Sequence, residues 1–444
     1  VKKVVVFGAG LVARAHVHYL LERGFQVTVA SRTVSKAEAL VEDHPSGHAL
    51  AFDIAKDGEH LEAIVMQHDL AVSLLPYRYH PQVAQACIKH GKHMVTTSYV
   101  KEAMQALDGP AKEAGVTILN EIGVDPGIDH MMSMQVIHRV QAGGGKVVGF
   151  TSYAGGLPAP EANDNPFGYK FSWSPKGVLL AGKNNARFRR DGAVIEVPGP
   201  ELFDHYWDVP VEVEGKMINF EGYPNRDSLP YAQVYGINAS KDMFRGTLRN
   251  EGWCGTMKKM IELGLLGEKS RDDLAGLTYA QFLARLIGQE DTTDLKATVA
   301  DRLSLALDSY MISNMEWLGL FGDKPLPKGK TAPIDIMAAT MLDKMQYNPG
   351  ERDMLVLQHE FLAEYPDRTE KTTSTMIDFG IPHGDTSMAR TVGLPAAIGV
   401  RMILEREITS RGVLIPVTTE IYDPVLEELG ELGIQFSEKV EVLP

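Results

Sequence analysis

The sequence predicts an α/β protein: a doubly wound parallel sheet at the N-terminus, then an α+β lobe carrying a helical insertion. Three observations predict it. Over residues 3–120, short β-branched runs alternate with helix-period stretches, as repeated βαβ units require. The string Gly8-Ala9-Gly10-Leu11-Val12-Ala13 directly follows the first of these runs and opens a helix. After Gly127 the rhythm changes to alternating strands, and from residue 241 to 345 to helix-period segments.

Six strands are expected in the first lobe, at residues 4–7, 26–30, 48–52, 70–75, 93–97 and 116–119. Most are almost continuously apolar, the mark of strands buried on both faces. The first helix is expected over residues 11–23, stopped by Gly24 just past its end. In the second lobe, strands are expected at 146–153 and 216–221, with a hairpin turning at Asp191-Gly192 between Ala186 and Val197. Helices are expected at 257–263, 279–287 and 299–311. Strands at 353–359 and 371–379 follow, then a helix at 395–407 and an extended segment at 412–417 that returns to the first lobe.

Composition narrows the function. A chain of 444 residues exceeds what one core usually organises, so two or three lobes are expected. With 44% hydrophobic and 23% charged residues it resembles ordinary folded proteins, which removes the case for disorder. A formal net charge of -14 argues against a nucleic-acid partner, because phosphate backbones are bound through Lys and Arg, and any anionic substrate must meet locally placed arginines. Cys87 and Cys254 are the only cysteines, too few for a disulfide framework or a zinc-ligand spacing; this suits the reducing cytoplasm, and no metal is expected. No signal-peptide segment and no run of ~18 apolar residues is seen, so no membrane association is expected.

The glycine string carries a mechanism. Gly8 permits a tight turn, Gly10 lets a pyrophosphate approach the backbone, and small Ala13 allows close helix-to-strand packing. The free N–H groups of the helix N-terminus would face the phosphates, as in a Rossmann dinucleotide site. NAD sites usually place an acid about 20 residues further on, at the end of the second strand. Here that stretch reads Ser31-Arg32-Thr33, which suits the 2′-phosphate of NADP; the alternative is a solvated surface arginine.

Loops at the carboxyl ends of later strands should surround the nicotinamide. They contain Leu75, then Thr97-Ser98-Tyr99, then the segment ending at Val124-Asp125. Tyr99 reads equally as a partly buried structural tyrosine. Asp125-Pro126-Gly127-Ile128-Asp129-His130 stands at the expected junction of the lobes. Asp125 is either a carboxylate that holds a substrate ammonium or exchanges a proton, or one that fixes the turn before Pro126. Asp129 reads as a helix N-cap, and a metal site would need more ligands than are visible. Arg226 and Arg245, near turn residues, would clamp carboxylates if they do not simply sit in water.

Taken together, these strings resemble the NADP-dependent, glutamate-forming saccharopine dehydrogenases, also called saccharopine reductases. The likeness runs through residues 8–13, 95–100, 118–132, 155–160, 170–175, 224–228, 245–249, 358–361, 384–395, 412–416 and 424–428, nearly the whole chain. It implies that saccharopine is interconverted with L-glutamate and α-aminoadipate semialdehyde through an imine, with NADP as cofactor, in lysine metabolism. By the same resemblance, Ser98, Tyr99, Asp125, Arg226, Arg245, Gly246 and Thr247 would contact saccharopine, with Asp125 and Tyr99 handling protons. Gly8, Gly10, Leu11, Val12, Ala13, Ser31, Arg32, Thr33, Asp53, Ile54, Leu75, Thr97, Val124 and Trp173 would surround NADP. Members of the family commonly have Cys where this chain has Ala154, so a thiol acid there is excluded. The resemblance also implies a homodimer made through the second lobe's sheet and a C-terminus returning to the first lobe. The resulting division is a dinucleotide-binding domain at 1–124 and 388–444, a substrate and dimerisation domain at 125–240 and 346–387, and the insertion at 241–345. Two rivals remain: a related imine-reducing enzyme of polyamine metabolism, of carboxynorspermidine type, and a non-catalytic NADPH-binding sensor.

Overall fold

The computed structural model describes all 444 residues, Val1–Pro444. In chain order the strands are β1 (Lys3–Phe7), β2 (Gln26–Ser31), β3 (Gly47–Ala51), β4 (Leu70–Ser73), β5 (His93–Val95), β6 (Thr117–Leu119), β7 (Lys146–Pro158), β8 (Ala186–Arg190), β9 (Ala193–Val197), β10 (Trp207–Val213), β11 (Lys216–Pro224), β12 (Asp242–Asn250), β13 (Asp353–Glu364), β14 (Thr369–Phe379), β15 (Gly412–Leu414) and β16 (Phe436–Leu443). Contacts divide the chain into a first unit of residues 1–147, 363–370 and 374–444, and a second of residues 148–362 and 371–373.

The first unit is built on a seven-stranded sheet in the order β15-β6-β5-β4-β1-β2-β3, every neighbouring pair parallel. Strand order reverses beside β1, and a ligand binds at the carboxyl ends of the strands around such a switch point. Alternation along β1 sends Val5 and Phe7 into a core with Ala30, Ala71, Met94 and Ile118. The opposite face is covered by the helix Ala13–Glu22 and the helix Ser387–Leu404, which meet at Gly393; a Cβ there would lie 3.0 Å from His16 N and from Val12 O. His16 Nδ1 lies 3.1 Å from the Gly393 carbonyl, and burial pushes its pKa down to about 4, so the ring is neutral.

All six expected strands of this unit are present, and the returning C-terminal segment supplies a seventh, β15, beside β6. The first unit includes the helix Ile128–Ala142, which packs against the helix Thr419–Glu431 of the same unit. The expected helix at 395–407 begins earlier, at Ser387, where Thr386 Oγ1 accepts from Ala389 N at 3.0 Å; Pro395 sits inside it.

In the second unit, strand order runs β10-β11-β12-β7-β13, with the β8–β9 hairpin paired to β12. That hairpin turns at Asp191 and Gly192, whose φ of 50° and 80° are the left-handed pair a two-residue turn requires. Two expectations change. Residues 242–250, placed at the start of the helical stretch, form β12, an interior strand held by β11 and β7. The helix expected at 299–311 is two, Leu295–Arg302 and Tyr310–Leu318, since Ser304 turns left-handed at φ 55° and Ser309 caps the second. No helix is long and apolar enough to cross a membrane.

Candidate active site

The cofactor-type residues of the first unit lie at the carboxyl edge of its sheet. Gly8 has φ +116°, and a Cβ there would stand 3.0 Å from Leu74 O, so only glycine fits between the ends of β1 and β4. Gly10 faces open space, where a Cβ would meet nothing within 4 Å, as a position for close ligand approach must. The helix Ala13–Glu22 has no acid in its first turn, and Val12 at its N-cap offers no side-chain acceptor. Ala13 N donates to Gly10 O at 3.1 Å, and the amides that follow it in the first turn suit a phosphate. Leu11 is exposed and Ala13 is fully buried.

Beyond β2, the buried Ser31 accepts from Thr33 N at 3.2 Å, and Arg32 stands exposed beside it. The amides, the hydroxyls and this guanidinium fit a dinucleotide carrying a 2′-phosphate. Asp53 follows β3, where its carboxylate accepts from Ala55 N at 3.1 Å, while the Ile54 side chain packs into the core. Leu75, Thr97 and Val124 lie just past β4, β5 and β6. Trp173 belongs to the second unit, before the helix Pro175–Ala181.

Tyr99 and Asp125 meet directly: the phenol donates to Asp125 Oδ1 at 2.8 Å. Asp125 is thus not the free carboxylate that a sequence alone leaves it. It sits on a loop closed by Gly123 N to Pro126 O at 2.9 Å, Ile128 N to Gly123 O at 2.9 Å and Asp129 N to Val124 O at 3.0 Å, and its bond to Pro126 is cis. Gly127, with φ +148°, has no alternative, since a Cβ would lie 2.1 Å from Gly123 O. Gly127 is also the N-cap of the helix Ile128–Ala142, the role expected of Asp129. Asp129 instead sits inside the first turn and reaches back to accept from Gly127 N at 2.6 Å.

Ser98 is tied to a histidine that sequence reasoning missed. His80 Nε2 lies 2.8 Å from Ser98 Oγ and its Nδ1 2.8 Å from Ser73 Oγ. Desolvation lowers the His80 pKa to about 4, so a neutral ring bridges the ends of β4 and β5. Nothing in the local string Tyr79-His80-Pro81 signals this, because the partners come from other strands.

In the second unit, β11 and β12 bring the expected arginines together. Tyr223 pairs with Thr247 and Pro224 with Gly246, and beyond the ladder Asn225 N donates to Arg245 O at 2.9 Å. Arg226 follows at φ 55°, exposed, whereas Arg245 is 4% exposed, with its guanidinium 4.4 Å over the Tyr231 ring. A Cβ on Gly246 would lie 2.8 Å from Tyr223 O and closer still to the Phe244 ring. Arg245, Thr247 and Arg249 share one strand face, and the parallel register sets Ala154 opposite Thr247. Arg249, whose string Phe244 to Arg249 the sequence marks for arginines that could clamp carboxylates, is buried over Tyr169 and Trp253. No group of three His, Cys, Asp or Glu side chains is arranged to hold a metal ion.

Known proteins share this arrangement along the whole chain. Residues 4–119 match the saccharopine dehydrogenase NADP binding domain, and residues 123–434 match the saccharopine dehydrogenase C-terminal domain. The chain is 40% identical to the NADP(+), L-glutamate-forming saccharopine dehydrogenase of Pyricularia oryzae, over 99% of each. Its identity to the enzyme of the same name from Saccharomyces cerevisiae is 38%, again over 99% of each. The mitochondrial alpha-aminoadipic semialdehyde synthase of Bos taurus is 36% identical over 98% of this chain, which spans 47% of that longer protein. A solved structure of apo saccharopine dehydrogenase (L-Glu forming) from Saccharomyces cerevisiae superimposes with a TM-score of 0.89 at 37% identity, covering 99% of this chain and 100% of that one. With family domains matched from residue 4 to residue 434 and full-length relatives at this identity, the chain belongs to the saccharopine dehydrogenase family.

Proposed function

We propose that this protein is an NADP-dependent oxidoreductase acting on a CH–NH donor, interconverting saccharopine with L-glutamate and α-aminoadipate semialdehyde in lysine metabolism. The observation that carries the reading is the match to NADP(+), L-glutamate-forming saccharopine dehydrogenases over 99% of the chain, supported by the Tyr99–Asp125 hydrogen bond and the Arg226–Arg245 strand end.

Each unit supplies a distinct task. In the first, Gly8, Gly10, Leu11, Val12 and Ala13 hold the pyrophosphate, and Ser31, Arg32 and Thr33 hold the 2′-phosphate. Asp53, Ile54, Leu75, Thr97 and Val124 line the rest of the cofactor, and the family resemblance adds Trp173 to this set. When bound, NADP would supply the hydride acceptor for the carbon of saccharopine's secondary amine, and NADPH the hydride donor for the reverse direction. Oxidation also removes the amine proton; hydrolysis then adds water across the imine, and the carbon–nitrogen bond breaks as the nitrogen gains a proton and leaves with glutamate, so a group that accepts and returns protons is needed. Tyr99 and Asp125, hydrogen-bonded at 2.8 Å, are that group, and Ser98 orients the substrate beside them. Ala154 has no proton to give, which leaves the work to this pair. Saccharopine carries three carboxylates. Arg226, Arg245, Gly246 and Thr247 receive them, with the buried Arg245 the stronger anchor because a desolvated guanidinium is screened less.

A spectrophotometric assay tests the assignment: saccharopine with NADP should give NADPH, and NAD should serve far worse. Arg32→Asp should raise the KM for NADP roughly 10- to 100-fold, the worth of one charge-assisted contact. Turnover of carboxynorspermidine but not saccharopine would reject the assignment, and NADPH binding with no turnover of any amino-acid amine would favour a sensor.

We also assign the protein to the cytoplasm, as the two unpaired, buried cysteines suit a reducing compartment; burial pushes the Cys87 thiol up to about 12. It assembles as a homodimer through the sheet of the second unit, with small molecules rather than nucleic acid or membrane as its other partners. Sedimentation should therefore give about twice the 48.8 kDa chain mass, and a monomer at working concentration would overturn the assembly.

A further inference from the structure

One buried acid holds the chain on both sides of Tyr99. Glu121 is 3% exposed. Its amide donates to Ser98 O at 3.2 Å, its Oε1 accepts from Val100 N at 2.8 Å, and its Oε2 lies 2.8 Å from His130 Nε2. Ser98 and Val100 are the two neighbours of Tyr99, so a single residue fixes both peptide groups flanking the phenol-bearing residue. His130 is fully buried and belongs to the helix Ile128–Ala142. The first turn of that helix also closes the Asp125 loop: Asp129 accepts from Gly127 N at 2.6 Å, and its Oδ2 lies 3.7 Å from His130 Nδ1. The route Tyr99 backbone, Glu121, His130, Asp129, Asp125 loop thus joins the two halves of the Tyr99–Asp125 hydrogen bond from behind.

Stability alone does not account for this cluster. Burying a carboxylate is costly even when it is paired, and an apolar residue of similar volume often does as well. Glu121 also adopts φ 54°, a left-handed conformation that is strained for a non-glycine residue. What the acid supplies, and an apolar residue cannot, is two acceptor oxygens at a fixed separation.

We propose that Glu121 and His130 are positioning residues that set the Tyr99–Asp125 pair for proton transfer without touching substrate themselves. The inference rests on the proposed role of that pair, since a misplacement of ~1 Å is enough to cost roughly 10²-fold in rate. Glu121→Ala, Glu121→Gln and His130→Gln are compared by steady-state kinetics with saccharopine and NADP, each alone and combined with Tyr99→Phe, with NADPH binding and thermal melting measured on the same samples. Glu121→Ala should lower kcat roughly 10- to 100-fold while the KM for NADP stays within about twofold. Glu121→Gln, which keeps an oxygen for Val100 N–H, should recover most of that loss. In the Tyr99→Phe background the effect of Glu121→Ala should largely vanish, because residues acting through one another are not additive.

Wild-type kcat in a folded Glu121→Ala protein, or the same fold-loss with and without the Tyr99 hydroxyl, overturns the positioning role. A lowered melting temperature with kcat intact does the same. If Glu121→Ala does not fold, Glu121→Gln and His130→Gln decide through the same non-additivity with Tyr99→Phe. If Tyr99→Phe itself turns over like wild type, the fault lies in the reading of the Tyr99–Asp125 pair rather than in the clamp behind it.

Discussion

Replacing Asp125 by Asn is expected to lower kcat for saccharopine oxidation roughly 10²- to 10⁴-fold, the usual worth of a positioned proton-transfer group. The size follows from the geometry. The Tyr99 phenol donates to the Asp125 carboxylate at 2.8 Å, on a loop closed by three backbone hydrogen bonds. The reacting groups are therefore held in place before substrate arrives, and asparagine keeps that shape while removing the charge that accepts a proton. Tyr99→Phe should lose a similar amount, and the double variant little more than either single one, because the two act as a unit. Steady-state kinetics in both directions checks this. A kcat within a few-fold of wild type for both variants would remove the pair from the chemistry and return Asp125 to the other role that its sequence context allows, fixing the turn before Pro126.

The next largest effect should come from Arg245→Ala, a rise of roughly 10²-fold in the KM for saccharopine with a smaller change in kcat. A charge-assisted hydrogen bond is worth about 1.5–3 kcal/mol, and each 1.4 kcal/mol is about tenfold. Arg245 is 4% exposed, has its guanidinium 4.4 Å from the centre of the Tyr231 ring, and is fixed through its own backbone by Ser228 Oγ at 3.0 Å and by Asn225 N at 2.9 Å. Little entropy remains for it to lose on binding. Arg226 is exposed, so Arg226→Ala should raise the KM less, as solvent screens its charge. Arg245→Lys separates charge from shape: it keeps the cation but loses the planar fork, and should recover only part of the affinity. Circular dichroism must show each variant folded. An unchanged KM in folded Arg245→Ala would remove the arginine from substrate recognition, whatever the fate of the Asp125 prediction.

Much of the first unit was legible before any coordinates. Its strands are nearly continuous apolar runs, and Gly8, Gly24 and Asp191-Gly192 stand where φ must be positive, so local chemistry alone placed the turns. Legibility failed where a local signal was outweighed by a distant partner. Residues 242–250 carry Arg, Asn and Thr and read weakly as a strand, yet β11 and β7 satisfy their backbone from both sides. Pro395 reads as a helix start, but Thr386, nine residues earlier, caps the helix that contains it. Asp129 reads as a cap, but the glycine before the helix takes that position because no side chain fits there.

The sequence by itself determined the parallel dinucleotide-type sheet, the glycine turn at residues 8–13, the absence of an acid after β2, and, through its texture, the family. Each is written in neighbouring residues and depends on backbone sterics or on charge within a few positions. Tertiary structure alone decided that Asp125 is bound to Tyr99, that Glu121 and His130 stand behind the pair, that His80 joins Ser73 to Ser98, and that Arg245 is buried against Tyr231. The two members of these hydrogen bonds lie 7 to 26 residues apart in sequence. A hydrogen bond needs its two atoms within about 3 Å, and only the packing of strands and loops brings such residues that close.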